Sequence, residues 1–153
     1  MFLQLFNPRW TVLVSSLFLR LALGVSFLSA VADRFGLWGA YGQPNVSWGN
    51  YPRFVGYTAQ LNWFLPPPII PPLAMISTAA ETLFGLLLIL GCKTRITAAL
   101  SGFLLTAFAL TMTIALGVKA PLNLSVFSAA AAAFLLSTCA EFPFSLDNLL
   151  RSR

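Results

Sequence analysis

The sequence predicts an all-α membrane protein: a bundle of four transmembrane helices with a long loop, rich in aromatic residues and proline, between the first two helices. Hydrophobic residues make up 58% of the 153-residue chain and charged residues only 8%, whereas soluble domains are about a quarter charged. The mean hydropathy is +0.84. Four apolar runs are each long enough to cross a bilayer. We therefore expect residues 1–153 to form a single membrane domain.

The first predicted helix covers residues 11–32. It follows Arg9 and Trp10, which suit a headgroup anchor and an interfacial aromatic side chain. The sequence Ala-Val-Ala before Asp33 resembles a signal-peptide cleavage site. However, the apolar run is long enough to span, and Arg20 interrupts its centre. We therefore predict an uncleaved first helix.

Residues 33–72 form the predicted outer loop, which contains a run of prolines that cannot continue a helix. Within the loop, four apolar side chains recur at helical spacing: Phe54, Tyr57, Leu61 and Phe64. This pattern indicates either a short helix lying in the membrane interface or a folded loop with aromatic rings at headgroup depth. Both alternatives stay open at this point.

The other helices are predicted at about residues 73–92, 96–118 and 122–140, with Lys93 and Arg95 in a basic turn on the inner face. Cations concentrate on the cytoplasmic side of membrane proteins. If the N-terminus is inside, five cations lie on the cytoplasmic face and three outside: Arg9, Lys93, Arg95, Arg151 and Arg153 against Arg34, Arg53 and Lys119. We therefore expect both termini in the cytoplasm and the long loop outside.

Two opposite charges fall within the apolar runs. Arg20 lies about ten residues into the first helix and Glu81 about nine into the second, which places both near the bilayer midplane. An unpaired charge there costs about 2.5 to 3.5 kcal/mol on insertion scales. We therefore predict an intramembrane ion pair. The pair is either a structural clamp or a working site, such as a proton acceptor or an anchor for a polar ligand head.

Small and hydroxyl-bearing residues surround this predicted pair. They could line a polar pocket, although such residues also let membrane helices pack closely. The candidate lining residues are Ser16, Gly24, Ser77, Gly85, Thr106 and Thr113. We give more weight to packing for the serine and threonine rows.

Metal chemistry is not indicated, because the chain has no histidine and therefore lacks the commonest metal ligand. The two cysteines, Cys92 and Cys139, are predicted at the inner ends of their helices, where they form either a redox pair or two buried thiols. No cofactor can be assigned from the residues themselves. The net charge of +5 does not indicate nucleic-acid binding, since the basic residues form no patch.

Three segments together resemble the DoxX family of prokaryotic membrane proteins: Arg20-Leu-Ala-Leu-Gly24, Glu81 leading into Gly85-Leu-Leu-Leu-Ile-Leu-Gly91, and Thr94-Arg95. The resemblance covers the four predicted helices. It implies a four-helix bundle in the cytoplasmic membrane and, because some members accompany thiosulfate:quinone oxidoreductases or thiol and oxidative-stress assemblies, a connection with quinone- or sulfur/thiol-linked redox chemistry. Arg20, Glu81 and Arg95 are the matching positions, and the resemblance implies no settled catalytic mechanism.

These observations lead to three functional hypotheses. The first is an accessory subunit of a membrane redox or respiratory assembly, in which a quinone is the candidate cofactor and electrons come from a partner. The second is a non-catalytic structural or assembly subunit of a larger complex. The third is a small carrier or channel, although the sequence shows no internal repeat. In each case the expected partners are the lipid bilayer and other membrane proteins, and the chain is not expected to be catalytic alone.

Overall fold

The structure, a computed structural model, describes residues 8–151, with side chains for residues 10–150. The regular secondary structure of this part of the chain is entirely helical, with no strand. The helical elements are α1 (Pro8–Arg34), α2 (Tyr51–Leu61), a 3₁₀ turn (Pro67–Ile69), α3 (Ile70–Leu90), α4 (Thr94–Leu116), α5 (Lys119–Asn123), α6 (Val126–Thr138) and α7 (Leu146–Arg151). Three of these helices, α1, α3 and α4, are long and apolar enough to cross a membrane.

Four helices pack in a ring. Helix α1 lies against α3, α3 against α4, α4 against α6, and α6 against α1. Their shared core consists of a cluster of buried apolar side chains: Leu23, Phe27, Leu88, Ala98, Ala133, Leu136 and Phe142. Since Phe142 lies beyond α6, the segment that follows α6 contributes to the core.

The bundle has two distinct ends. At one end, which we call the loop end, residues 35–50 and α2 cover the C-terminus of α1 and the N-terminus of α3. At the opposite end, the tail end, residues 139–151 fold against the turn between α3 and α4: the Asp147 amide donates to the Gly91 carbonyl at 3.0 Å. We call residues 139–151 the tail.

The predicted fourth helix, residues 122–140, is not a continuous span. The chain there is divided into α5 and the 13-residue α6, which is about 20 Å long, shorter than the roughly 30 Å hydrocarbon core. The break lies at Ser125, whose φ of 54° is left-handed and therefore interrupts helical geometry. A fourth helix long enough to cross by itself is thus not confirmed.

Part of the predicted loop 33–72 forms regular secondary structure. Tyr51–Leu61 forms α2, whose N-cap Asn50 accepts a hydrogen bond from the Arg53 amide at 3.0 Å, as N-cap residues do. Phe54 and Leu61 are buried on one face of α2. The helical alternative for this stretch therefore describes the structure, although the helix ends before Phe64.

The boundaries of the three long helices differ from the predicted ones by two or three residues. Helix α3 begins at Ile70, so two prolines occupy its first turn, where a missing N–H costs no hydrogen bond. Among the cations used for the orientation, Arg153 lies outside the described residues. The side chains of Arg9 and Arg151 are likewise outside the described part.

Candidate functional site

A buried ion pair joins α1 to α3 near the loop end. The Arg34 guanidinium donates through Nη2 to both carboxylate oxygens of Glu81, at 2.6 and 2.8 Å. Its Nη1 donates to the Thr78 hydroxyl at 2.9 Å, and that hydroxyl donates to the Ala74 carbonyl at 2.8 Å. Both charged side chains are only 3% exposed. Glu81 therefore has a partner, and this partner is Arg34.

The predicted pairing of Arg20 with Glu81 is wrong. Arg20 lies at the tail end, where its Nη1 and Nη2 donate to the carbonyls of Pro143 and Phe144 at 3.1 and 2.6 Å. It is also next to Gly91, at the C-terminal end of α3. Gly91 follows Glu81 by ten positions, or about 15 Å along the helix axis. The two arginines thus act at opposite ends of the bundle.

The register between α1 and α3 explains this difference. Gly24 packs so closely on α3 that a Cβ atom there would lie 2.7 Å from Ile89 Cγ1 and 2.9 Å from the Gly85 carbonyl oxygen. This contact sets Gly24 opposite the C-terminal third of α3. Consequently Arg34, at the end of α1, reaches the level of Thr78 and Glu81. The depth estimate assumed that both helices enter the membrane at matching positions, which this stagger excludes.

Aromatic side chains of the loop end enclose the Arg34 guanidinium. Its Cζ atom lies 3.7 Å from the centroid of the Phe54 ring and 5.4 Å from that of Trp48, and the two rings meet edge to face. Cation–π contacts of this kind stabilise a desolvated guanidinium. The buried pair is therefore covered from the loop end by α2 and by the segment before it.

Asp33 holds that segment in place. Its carboxylate accepts the backbone N–H groups of Ser47 at 2.8 Å and Gly49 at 3.1 Å, with a longer contact from the Trp48 amide at 3.4 Å. A carboxylate bound by several amides makes charge-assisted hydrogen bonds. Because Asp33 is adjacent to Arg34 in the sequence, one turn of α1 fixes both the buried pair and the loop above it.

A cavity of about 1070 Å³ lies beside this loop. It is lined by the outer part of α1, by the loop and α2, and by Leu124, which lies between α5 and α6. Four aromatic residues and seven polar side chains line it: Trp38, Tyr41, Trp48 and Tyr57, with Ser26, Ser29, Asp33, Asn45, Ser47, Arg53 and Gln60. Ligand sites likewise combine aromatic rings with convergent polar groups.

Comparison with known proteins gives the family. The DoxX family model matches residues 15–115, about two thirds of the 153-residue chain. The chain belongs to the DoxX family. No curated protein and no solved structure matches it. In this DoxX protein the match includes the pair of Arg34 and Glu81 and nearly the whole cavity wall, and it ends before α6 and the tail.

The six predicted lining residues, all of which the structure describes, take packing positions in this DoxX protein and do not line the cavity. Gly24 and Gly85 bring α1 and α3 together. The hydroxyls of Ser16, Ser77, Thr106 and Thr113 each donate to a carbonyl of their own helix.

Sequence reasoning missed Arg34 and the cavity. Arg34 could have been noticed as a further charged residue, besides Arg20 and Glu81, on a helix that extends beyond the apolar run of residues 11–32. The available signal for the cavity was the alternation of aromatic and polar residues between Trp38 and Gln60. Within the cavity, burial raises the pKa of the Tyr57 phenol above its usual range.

The other predicted residues lie at the tail end of the DoxX bundle. Lys93 and Arg95 are exposed in and after the turn between α3 and α4, and Arg95 donates to the Cys139 carbonyl at 3.1 Å. Cys92 and Cys139 are half-buried free thiols at this same end. The basic turn therefore packs against the start of the tail.

Proposed function

We propose that this DoxX protein is an accessory subunit of a membrane redox assembly and that its loop-end cavity holds the headgroup of a quinone. The observation that carries this proposal is the cavity itself. Its volume of about 1070 Å³ is slightly above the roughly 300 to 1,000 Å³ usual for small-molecule sites. It is bounded by side chains that suit a flat, weakly polar ring.

The lining residues fit the chemistry of a quinone. A quinone headgroup is a planar ring with two carbonyl acceptors, which needs stacking surfaces and hydrogen-bond donors. The rings of Trp38 and Tyr57 supply stacking surfaces. The Tyr57 hydroxyl, the Gln60 amide and the Arg53 guanidinium supply donors. A bound quinone would supply electron and proton transfer, and the electrons would come from a partner subunit.

The cavity lining also has an apolar part suited to an isoprenoid tail. Val25 and Leu124 line it, and these side chains are 57% and 67% exposed. Both are apolar, and Val25 belongs to a helix long and apolar enough to cross a membrane. A ligand with a polar head and a hydrocarbon chain could therefore enter sideways from the bilayer.

We place the tail end on the cytoplasmic side of the prokaryotic cytoplasmic membrane. Lys93 and Arg95 are exposed there. This exposure supports the orientation that the sequence-based count of cations favours. In this arrangement α5 and α6 together make the fourth crossing, and the cavity opens toward the outer leaflet.

A structural or assembly subunit is the second candidate. The observation that favours it is the burial of the ion pair: Glu81 is 2% exposed, and its carboxylate accepts hydrogen bonds from Arg34. A pair in such a position acts as a clamp between α1 and α3. The clamp is compatible with either function, because the pair and the cavity lining are different residues.

The test uses purified protein in lipid nanodiscs, titrated with a short-chain quinone while tryptophan fluorescence is followed. We expect saturable quenching. Trp38→Leu removes a ring from the cavity and should raise the Kd about tenfold, since a stacked aromatic contributes about 1 to 1.5 kcal/mol. Trp63→Leu is the matched control, because Trp63 is similarly exposed and does not line the cavity.

A finer comparison uses the two half-buried tyrosines of α2. Tyr57→Phe removes a hydroxyl from the cavity and should raise the Kd about fivefold, the effect of one hydrogen bond. Tyr51→Phe, whose ring stacks on Phe35 outside the cavity, should leave the Kd unchanged. Absence of saturable quenching, or equal effects of the cavity and control variants, would refute quinone binding. If the protein then still co-purifies with a membrane complex, the structural-subunit function is favoured.

A further inference from the structure

The tail exposes a cluster of large apolar side chains: Phe144, Leu149 and Leu150 are 85%, 65% and 71% exposed. Two of its polar side chains are turned inward: Ser145 is 4% exposed, and the Asp147 carboxylate accepts the Lys93 and Thr94 amides, each at 2.7 Å. Phe142 packs in the core, and Glu141 and Asn148 are exposed polar residues of the tail. In a hydrocarbon environment the outward orientation of the apolar cluster is the favourable one.

Several backbone carbonyls of the tail have hydrogen-bond partners within the protein, as such an environment requires. Irregular backbone at membrane depth has to find hydrogen-bond partners within the protein, because lipid offers none. The carbonyls of Pro143 and Phe144 are bound by the buried Arg20 guanidinium. The Phe142 carbonyl accepts from the Ser145 hydroxyl at 2.6 Å, and the Cys139 carbonyl accepts from Arg95.

Phe144 is also held in an unfavourable backbone conformation. Its φ is 49°, in the left-handed region that bulky residues seldom adopt. The same residue has the most exposed aromatic ring of the tail. A strained backbone that presents an aromatic ring outward indicates that the ring is used at its exposed position.

The surroundings of the tail match a lipid leaflet in apolarity and in charge. On α1, Val14 and Phe18 precede Arg20 and are 63% and 71% exposed, so the lipid-facing surface of α1 continues to the helix turn that Arg20 attaches to the tail. Lys93 and Arg95 are exposed beside it, where they can meet lipid phosphates.

We propose that the tail, residues 139–151, lies in the interface of the bilayer leaflet at its end of the bundle, with Phe144, Leu149 and Leu150 among the acyl chains and with Glu141 and Asn148 at headgroup level. The tail is thus a membrane-inserted clasp anchored by Arg20. This inference does not depend on quinone binding, because the cavity lies at the opposite end. It concerns a segment outside the match to the family model.

The experiment measures the depth of nitroxide labels in the full-length protein, reconstituted into vesicles of phosphatidylcholine and phosphatidylglycerol. Labels are attached to Phe144→Cys and Leu149→Cys, each in a background with Cys92→Ser and Cys139→Ser. The matched control is Asn148→Cys, an exposed polar position on the same short helix. Collision rates are measured with oxygen, which concentrates in lipid, and with a nickel chelate, which stays in water.

We expect the ratio of oxygen to nickel collisions at positions 144 and 149 to exceed the ratio at 148 severalfold. It should also approach that of Phe103→Cys, an exposed position in the middle of α4. Equal nickel access at 144 and 148 would place the tail in water and overturn the proposal. Low access to both reagents would also overturn it, because protein would then cover the tail. Leu150→Cys repeats the measurement on a second exposed side chain.

Discussion

Replacing Glu81 by glutamine tests which arginine is its partner. The substitution removes the negative charge and one of the two acceptors that Arg34 Nη2 binds at 2.6 and 2.8 Å. Arg34 keeps the Thr78 hydroxyl and the Phe54 ring, but its charge remains buried without a counter-charge. Breaking a buried pair from one side costs about 3 to 5 kcal/mol. Because glutamine preserves one acceptor, we expect a loss of about 3 kcal/mol.

The assay is unfolding of the purified protein from mixed micelles by increasing SDS, followed by circular dichroism. Two double-mutant cycles identify which arginine interacts with Glu81. Arg34→Gln combined with Glu81→Gln should be more stable than the sum of the single effects by at least about 1 kcal/mol, as expected for groups in contact. Arg20→Gln combined with Glu81→Gln should be additive within about 0.5 kcal/mol, because these residues are at opposite ends of the bundle.

Two results would refute this reasoning. One is a loss below about 1 kcal/mol for Glu81→Gln, which would mean that the pair is solvated or dispensable. The other is coupling of Glu81 to Arg20 without coupling to Arg34, which would require a different register between α1 and α3.

Three further predictions concern the loop end and the helix contact. Asp33→Asn should cost about 2 kcal/mol, because it weakens the charge-assisted bonds to residues 47–49, and it should accelerate amide hydrogen exchange there. Gly24→Ala should cost about 1 to 3 kcal/mol in the SDS assay through its clash with Ile89. Gly56→Ala, whose Cβ meets no atom within 4 Å, should be neutral or stabilising by up to about 1 kcal/mol. Because burial raises the pKa of Tyr57, the difference in alkaline absorbance titration between wild type and Tyr57→Phe should have a midpoint above about pH 10. The stabilising neutral form is present below that pH and is lost as the pH rises through the folded-state pKa.

Run length and composition were sufficient to predict the three long helices, since a segment that must satisfy its backbone in lipid has few alternatives to a helix. The fourth was not predictable in its observed form, because the break at Ser125 depends on a single left-handed φ in an otherwise apolar stretch. The residues of α2 carried a helical pattern, but the pattern alone could not decide between a helix and a folded loop.

The partner of Glu81 was not predictable because depth along a helix depends on register. A short turn, residues 91–93, joins α3 to α4 and fixes the relative position of these two helices. Between α1 and α3 the connection is long enough to allow many offsets. The observed offset follows from the close contact at Gly24, which is a property of two helix surfaces together. The cavity combines residues of α1, the loop, α2 and Leu124, so no single segment of the sequence could reveal it.

The tail contact of Arg20 has a consequence for the order of events during biosynthesis. The carbonyls that bind Arg20 belong to residues 123 and 124 positions later in the chain, whereas the partner of Arg34 follows it by only 47 positions. As the ribosome elongates the chain, the clamp at the loop end becomes available once α3 has emerged. Arg20 must meanwhile stay hydrated or lie against lipid phosphates until the tail is made. The contact between Arg20 and the tail can therefore form only after residues 143 and 144 have been made, later than the pair of Arg34 and Glu81 becomes available.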